Sequence, residues 1–290
     1  MSKLIVDNLS YRYPYGVTAI NNVCFSAENE IVAIVGEKES GKSTLTAVLA
    51  GIISGFCGDF SFASDFPKKD AVAYLSDRDC LFEKKSVYYN LAYPLKIRKI
   101  GSDIIDSKVN KIADKFSIRD ILSERVDRLS EFDKTKVAYA RPFVRETELL
   151  LLDDYYTRLD IPERAKILDI LKETLKSYGK TVLFSTESID EARLLTEKIL
   201  VLRYGYQMTY GNISDREWCR DMYCAQILGD DIVKGRLEIK NDEPYLITDE
   251  SEVRLDKSRL KSDLFVGRDV FYSPIRDVLF DADTDKIIYF

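Results

Sequence analysis

Apolar and polar positions alternate along this chain in two registers, one of strands and one of helices. Residues 31–35 (Ile-Val-Ala-Ile-Val) are apolar and mostly β-branched and end at Gly36, which predicts a buried strand. Residues 43–50, after a glycine turn, predict a helix. Residues 71–75 predict a second strand. Residues 86–121 take a helical, charged pattern with Pro94 and Gly101 as expected breaks, and 128–145 predict a further helix. The continuous run Leu149-Leu150-Leu151-Leu152 is typical of a parallel strand covered on both faces. Residues 163–176 predict an amphipathic helix closed by Gly179, and 181–185 another buried strand. Ser188 with Glu191 has the spacing of a capping box opening a helix to about 197. Residues 199–202 and 207–210 predict a closing hairpin around Gly205. Strands alternating with helices predict an α/β core with a largely parallel sheet. After about residue 214 the texture changes. Short strand candidates at 238–240, 245–248, 253–255, 270–272 and 286–289 are broken by Asp, Gly and Pro, which predicts a small β-rich domain. The expected division is 1–213 and 214–290, with a helical subdomain at about 78–145.

Composition narrows the class. With 46% hydrophobic and 32% charged residues in 290, the chain can pack a core and does not have the makeup of a disordered protein. A net charge of -6 argues against a dominant nucleic-acid surface, and no nucleic-acid partner is expected. Residues 1–8 carry no basic segment followed by an apolar core, so a secretory leader is not expected. No apolar stretch approaches the roughly 18 residues of a membrane span. Work at a membrane would therefore need a spanning partner. Cys24, Cys57, Cys80, Cys219 and Cys224 are scattered without a CxxC pair, and there is no histidine in the chain. Buried, reduced thiols in a cytoplasmic protein are expected, not a zinc site.

The strongest chemical signal is Gly36-Glu37-Lys38-Glu39-Ser40-Gly41-Lys42-Ser43-Thr44, which fits GxxxxGK[ST] between a predicted strand and a predicted helix. Glycines let the backbone wrap a phosphate with its N–H groups inward, and the helix that follows adds its positive end. In such a loop Lys42 reaches the β- and γ-phosphates of ATP and the Ser43 hydroxyl binds Mg²⁺. A strand ending in a carboxylate that holds the same Mg²⁺ is supplied by the four leucines and Asp153.

Over residues 3–212 the chain resembles the nucleotide-binding subunits of ABC transporters. The carrying motifs are the phosphate loop, Leu129-Ser130 followed by Val137-Ala138-Tyr139-Ala140-Arg141, Asp153 placed 23 residues after Ser130, and Leu159-Asp160 at the end of the D-loop. The resemblance implies a P-loop NTPase with a RecA-like core and helical subdomain, bound to transmembrane permease subunits on the cytoplasmic face of the membrane. It implies that Tyr13 stacks on adenine, with Tyr11 as a competing neighbour. It also implies that Ser130 closes over the γ-phosphate held by an opposite subunit.

Several positions depart from that family. Its LSGGQ signature reads Leu129-Ser130-Glu131-Phe132-Asp133 here, which loses both glycines and adds two carboxylates. The glutamate that polarises the attacking water is Asp154, one methylene shorter. The Q-loop glutamine aligns with Asp77, and the switch histidine aligns with Glu187, which cannot donate to a phosphate when ionised. Positioning and charge stabilisation dominate phosphoryl transfer, so impaired hydrolysis is expected. Because weak catalytic residues and a weak signature share one chain, pairing with a different ATPase subunit is expected over a homodimer.

Two further regions carry expectations. Phe82, Val87, Tyr88, Tyr89, Leu91 and Tyr93 are candidates for docking a permease. Residues 215–290 resemble the small β-barrel (OB-like) regulatory extension of sugar-importer ATPases, carried by Phe265-Val266-Gly267-Arg268-Asp269-Val270, Ser273-Pro274-Ile275-Arg276-Asp277 and Phe280-Asp281-Ala282-Asp283. That resemblance implies import of sugars, polyols or glycerol phosphates.

Overall fold

The computed structural model describes residues 3–62, 68–76, 81–153, 159–214, 221–227, 231–260, 267–274, 278–284 and 286–289. The chain divides into two compact units, Met1–Gln207 and Met208–Phe290.

The elements run β1 (Lys3–Arg12), β2 (Thr18–Glu28), β3 (Ile31–Val35), α1 (Lys42–Leu49), β4 (Cys57–Phe62), α2 (Lys68–Ala71), β5 (Val72–Leu75), α3 (Val87–Lys96), α4 (Ser102–Lys115), α5 (Glu131–Phe143), β6 (Leu149–Leu152), α6 (Ile161–Lys176), β7 (Thr181–Thr186), α7 (Ile189–Leu195), β8 (Lys198–Arg203), β9 (Tyr206–Asn212), α8 (Met222–Ile227), β10 (Val233–Lys240), β11 (Glu243–Thr248), β12 (Glu252–Arg254), β13 (Asp269–Ser273), β14 (Val278–Asp281) and β15 (Ile287–Tyr289).

Nine strands form one sheet in the order β4-β1-β2-β9-β8-β3-β7-β6-β5. The strands β8, β3, β7, β6 and β5 run parallel. Their apolar runs follow from burial on both faces: every residue of β6 and β7 is buried. Each leucine of β6 removed from water contributes roughly 1.5–3 kcal/mol. The register sets the functional edge. Val35 lies opposite Thr186, Leu152 opposite Phe184, and Leu75 opposite Leu152. The carboxyl ends of β3, β7, β6 and β5 therefore finish side by side, where ligands bind open α/β sheets.

The antiparallel strands β1, β2 and β4 lie outside the sequence expectations. Buried positions alternate in β1 and β2, but Asn8 and Asn22 sit at positive φ (50° each) and the pairing shifts register near Leu9, while no residue of β4 is buried.

The helical subdomain rests on a core in which Leu91, Val109, Phe116, Val137 and Tyr139 are fully buried. Pro94 does not break the pattern as expected; it lies inside α3, near the helix end. There its missing N–H forfeits only one bond of the final turn. Gly101 does act as a boundary, preceding α4. An ion pair of Arg98 with Asp70 (2.8 Å) and a bond from Arg145 to the Asp70 carbonyl (2.9 Å) tie α2, α3 and the end of α5.

The second unit contains a six-stranded antiparallel sheet, β12-β11-β10-β13-β14-β15. Leu237, Leu246, Val270, Leu279 and Ile288 form its core. Strand β14, absent from the sequence expectations, is fully buried and includes Asp281, whose carboxylate accepts from the N–H groups of Asp283 and Thr284 in the following turn. Cys224 is buried as expected, whereas Cys24 and Cys57 are exposed; both lie on strands with one solvated face. Cys80 and Cys219 fall outside the described residues.

Candidate functional site

Two glycines shape the loop between β3 and α1. A Cβ on Gly36 would lie 2.3 Å from the Leu202 carbonyl oxygen and 2.6 Å from Ser40 Oγ. Gly41, the N-cap of α1, sits at φ 104°, and a Cβ there would meet the Ala19 carbonyl at 2.3 Å. At Gly36 the space excludes a side chain, and at Gly41 both the backbone conformation and the space require glycine. Glu39 also takes positive φ (64°), so the loop turns twice within three residues. Ser40 N donates to the Glu37 carbonyl (3.2 Å). Lys38 and Glu39 are exposed on the outer side of this turn, while Ser40 is buried.

The start of α1 has no side-chain cap and no acidic residue in its first turn. Lys42 is buried, and its Nζ donates to the carbonyls of Gly36 (2.7 Å) and Glu37 (2.8 Å). A buried ammonium and an acid-free helix start therefore face the same loop. Ser43, next in the helix, is exposed. Thr44 is buried, and its Oγ1 lies 3.2 Å from Tyr13 Oη. That contact brings Tyr13 against the phosphate-loop helix. Tyr11 packs edge-on to Tyr13, with centroids 5.0 Å apart, and Tyr15 stacks parallel to it at 5.0 Å. Tyr15 was not anticipated; its two-residue spacing from Tyr13 was the only available signal.

Asp153 follows β6 and is 1% exposed. Its N–H donates to the Leu75 carbonyl (2.9 Å), and Tyr74 Oη donates to Asp153 Oδ2 at 3.5 Å. One strand, β7, lies between β6 and β3, so Asp153 and the phosphate loop leave the sheet about 10 Å apart by strand spacing. The residues present fit a nucleotide triphosphate with Mg²⁺: a glycine cradle that excludes side chains, a buried cation, and a buried carboxylate at the same sheet edge.

Glu187, in the switch position, is exposed just after β7. The turn around it is tightly bonded. Thr186 Oγ1 donates to Glu191 Oε2 (2.6 Å) and accepts from Ser188 N (3.1 Å), and Glu191 N donates to Ser188 Oγ (3.3 Å). Arg164 of α6 reaches Glu191 at 3.4 Å. The expected capping box thus gives the Ser188 cap, while the Glu191 carboxylate links the switch turn to α6. Asp77 and Asp154 lie outside the described residues. Asp160 caps α6 by accepting from Glu163 N (2.9 Å).

Ser130 begins α5 and accepts from Asp133 N (3.1 Å). The helix starts three residues later than 128, because Arg128 closes a separate 3-10 turn. Of the proposed docking residues, Val87 and Leu91 belong to the core, whereas Phe82, Tyr89 and Tyr93 form a surface aromatic cluster with Phe82 39% exposed.

A family model described as ABC transporter matches residues 20–157. The molybdate/tungstate import ATP-binding protein WtpC of Methanocaldococcus jannaschii is 32% identical over 222 residues, covering 75% of this chain and 74% of that protein. WtpC of Thermococcus kodakarensis is 33% identical over 73% of this chain and 66% of its own length. The sn-glycerol-3-phosphate import ATP-binding protein UgpC of Brucella abortus is 30% identical over 71% of this chain, which spans 60% of that relative. The solved structure of cbiO1 from Clostridium perfringens, part of the ABC transporter complex cbiONQ, shares the fold with a TM-score of 0.66 at 24% identity, covering 78% of this chain and 90% of that one. Members of this family bind and hydrolyse ATP, generally with Mg²⁺. The chain belongs to the ABC transporter family of ATP-binding proteins.

Proposed function

We propose that this chain is the ATP-binding subunit of an ABC importer and that it binds ATP well but hydrolyses it slowly. The observation that carries the binding half is the phosphate loop: a cradle only glycine fits, with a buried Lys42 at an acid-free helix start. Gly36, Glu37, Lys38, Glu39, Ser40 and Gly41 would wrap the phosphates, Lys42 would pair with them, and Thr44 would position Tyr13 for the base. Ser43 and Asp153 would hold Mg²⁺, which neutralises charge on the phosphates. The slow half is supported by Glu187, an exposed carboxylate where a donor is needed, and by Asp77 and Asp154 in the other catalytic positions.

In this reading the two domains are 1–213 and 214–290. The chain sits on the cytoplasmic face of the membrane through transmembrane permease subunits, docked by the Phe82–Tyr89–Tyr93 cluster. No described helix is long and apolar enough to cross a membrane. A second, better-equipped ATPase subunit completes the pair and resets it. The solute class is sugars or glycerol phosphates, supported by the C-terminal sheet and the glycerol-phosphate relatives. A second reading, import of a tetrahedral metal oxyanion, is favoured by the molybdate/tungstate relatives.

The test is affinity isolation of the chain from its own membranes. A multi-span protein and a second ATPase should co-purify, and the complex should bind ATP. Isolation as a lone soluble protein would contradict the subunit reading. Uptake of labelled glycerol phosphate against labelled molybdate, in cells with and without the gene, separates the two solute classes.

A further inference from the structure

The first turn of α5 carries two carboxylates, and both are engaged within the turn. Asp133 Oδ2 accepts the Ser130 hydroxyl proton at 2.8 Å, while Asp133 N donates back to Ser130 Oγ at 3.1 Å. The serine has one hydroxyl proton, and Asp133 holds it. The other Asp133 oxygen is 2.7 Å from Lys136 Nζ, whose side chain is only 11% exposed. Lys136 is itself held by the Ser117 carbonyl (3.4 Å) and lies over the Phe132 ring (4.9 Å), which Lys166 of α6 also approaches (5.8 Å). Glu131 is engaged separately, with Lys134 at 2.7 Å, and is half-exposed. Burial opposes ionisation of Asp133, but the bonds from Lys136 and Ser130 outweigh it and hold the carboxyl below its ordinary range.

A helix start attracts an anion because its N–H groups and its dipole face outward. Here a carboxylate already stands on the capping hydroxyl, anchored from behind by a nearly buried lysine. We propose that Asp133 fills the anion position of this segment from within the chain, so that Ser130 does not accept a nucleotide phosphate from a second copy. Asp133 is thus the residue that sets partner specificity: this chain contributes its phosphate loop to a pair but not an opposing lid. The proposal rests on the ATP-binding reading above. Glu131 adds general repulsion, but it does not touch the serine in any contact described.

The test reads self-association of the whole chain by analytical ultracentrifugation at saturating MgATP, and nucleotide affinity in a separate titration with a fluorescent ATP analogue and no MgATP. Asp133→Gln should strengthen ATP-dependent self-association at least about tenfold, as expected from removing a unit charge a few ångströms from phosphate. At a chain concentration low enough to keep it monomeric, its affinity for the analogue should stay within about twofold of the wild type, since the phosphate loop is untouched. Asp133→Ala should show the same gain. It also guards against misfolding of the glutamine variant, because residue 133 keeps its N–H on Ser130 whatever its side chain. Glu131→Gln removes the same charge from the same turn and should gain less than about threefold. No gain in either Asp133 variant, or an equal gain from Glu131→Gln, would overturn the proposal while leaving ATP binding intact. A wild type that fails to bind the analogue would instead sink the ATP-binding reading beneath it.

Discussion

The starts of α1 and α5 are the same physical element put to opposite use. Each is the first turn of a helix reached by a tight loop. At α1 the N-cap is Gly41, no side chain caps the turn, and no acidic residue follows within it. The first helical residue, Lys42, brings a buried ammonium to this turn. At α5 the cap is Ser130, the first turn carries Glu131 and Asp133, and the serine bonds Asp133 in both directions. The first helix start is left open to an anion from outside; the second is closed by one from inside. Helix dipoles alone therefore do not make a phosphate site. What decides it is whether the chain's own side chains have satisfied the turn first.

Breaking the open start should have the largest effect. Gly36→Ala forces a Cβ to 2.3 Å from the Leu202 oxygen, so the loop must move. ATP affinity should fall more than about 100-fold, with lowered thermal stability. Titration with a fluorescent ATP analogue checks the first effect and calorimetry the second. Lys42→Ala leaves both glycines in place but removes the charge and its bonds to the Gly36 and Glu37 carbonyls. Its affinity should fall about 10–100-fold, the range for losing charge-assisted bonds to phosphate. An unchanged affinity would mean that Lys42, held by the Gly36 and Glu37 carbonyls, never turns to the nucleotide.

The catalytic edge offers a gain instead of a loss. Glu187→His replaces an exposed carboxylate with a donor, and turnover in the assembled complex should rise roughly tenfold. Steady-state ATPase assays read this directly. Asp133 should show the smallest effect, through acid. Its folded value is depressed, so its contribution is complete above the unfolded aspartate value near about 4 and is lost as pH falls through the lower folded value. Near neutrality, Asp133→Asn should lower the melting temperature by no more than about 2 °C, and the gap should vanish in strong acid.

Particular residues show what the sequence made legible. The phosphate loop was readable because its requirement is local: glycines where the backbone needs positive φ or close approach, followed by Lys42 and Ser43. Asp153 was readable because four leucines before it could only be a covered strand. Strands β1 and β2 are not legible because half their residues face solvent and asparagines at positive φ interrupt their period, and β4 is not legible because it buries no residue to set a period. The helix through Pro94 was missed because a proline near a helix end forfeits little, and the sequence does not say where the end lies. Asp133 was legible as a charge but not as a cap. Its effect depends on where Ser130 Oγ and Lys136 Nζ come to rest, and Lys136 is placed by the Ser117 carbonyl after α4 and by the Phe132 ring beside α6. Tyr15 likewise gains its place only through stacking on Tyr13.

The most direct test of the account compares ATP binding with ATP turnover in the same purified wild-type chain. The account predicts saturable binding of MgATP, abolished by Gly36→Ala, with single-turnover hydrolysis far below the roughly 1 s⁻¹ that bounds ordinary enzymes from below. Robust hydrolysis by the isolated chain, at or above that rate, would contradict it.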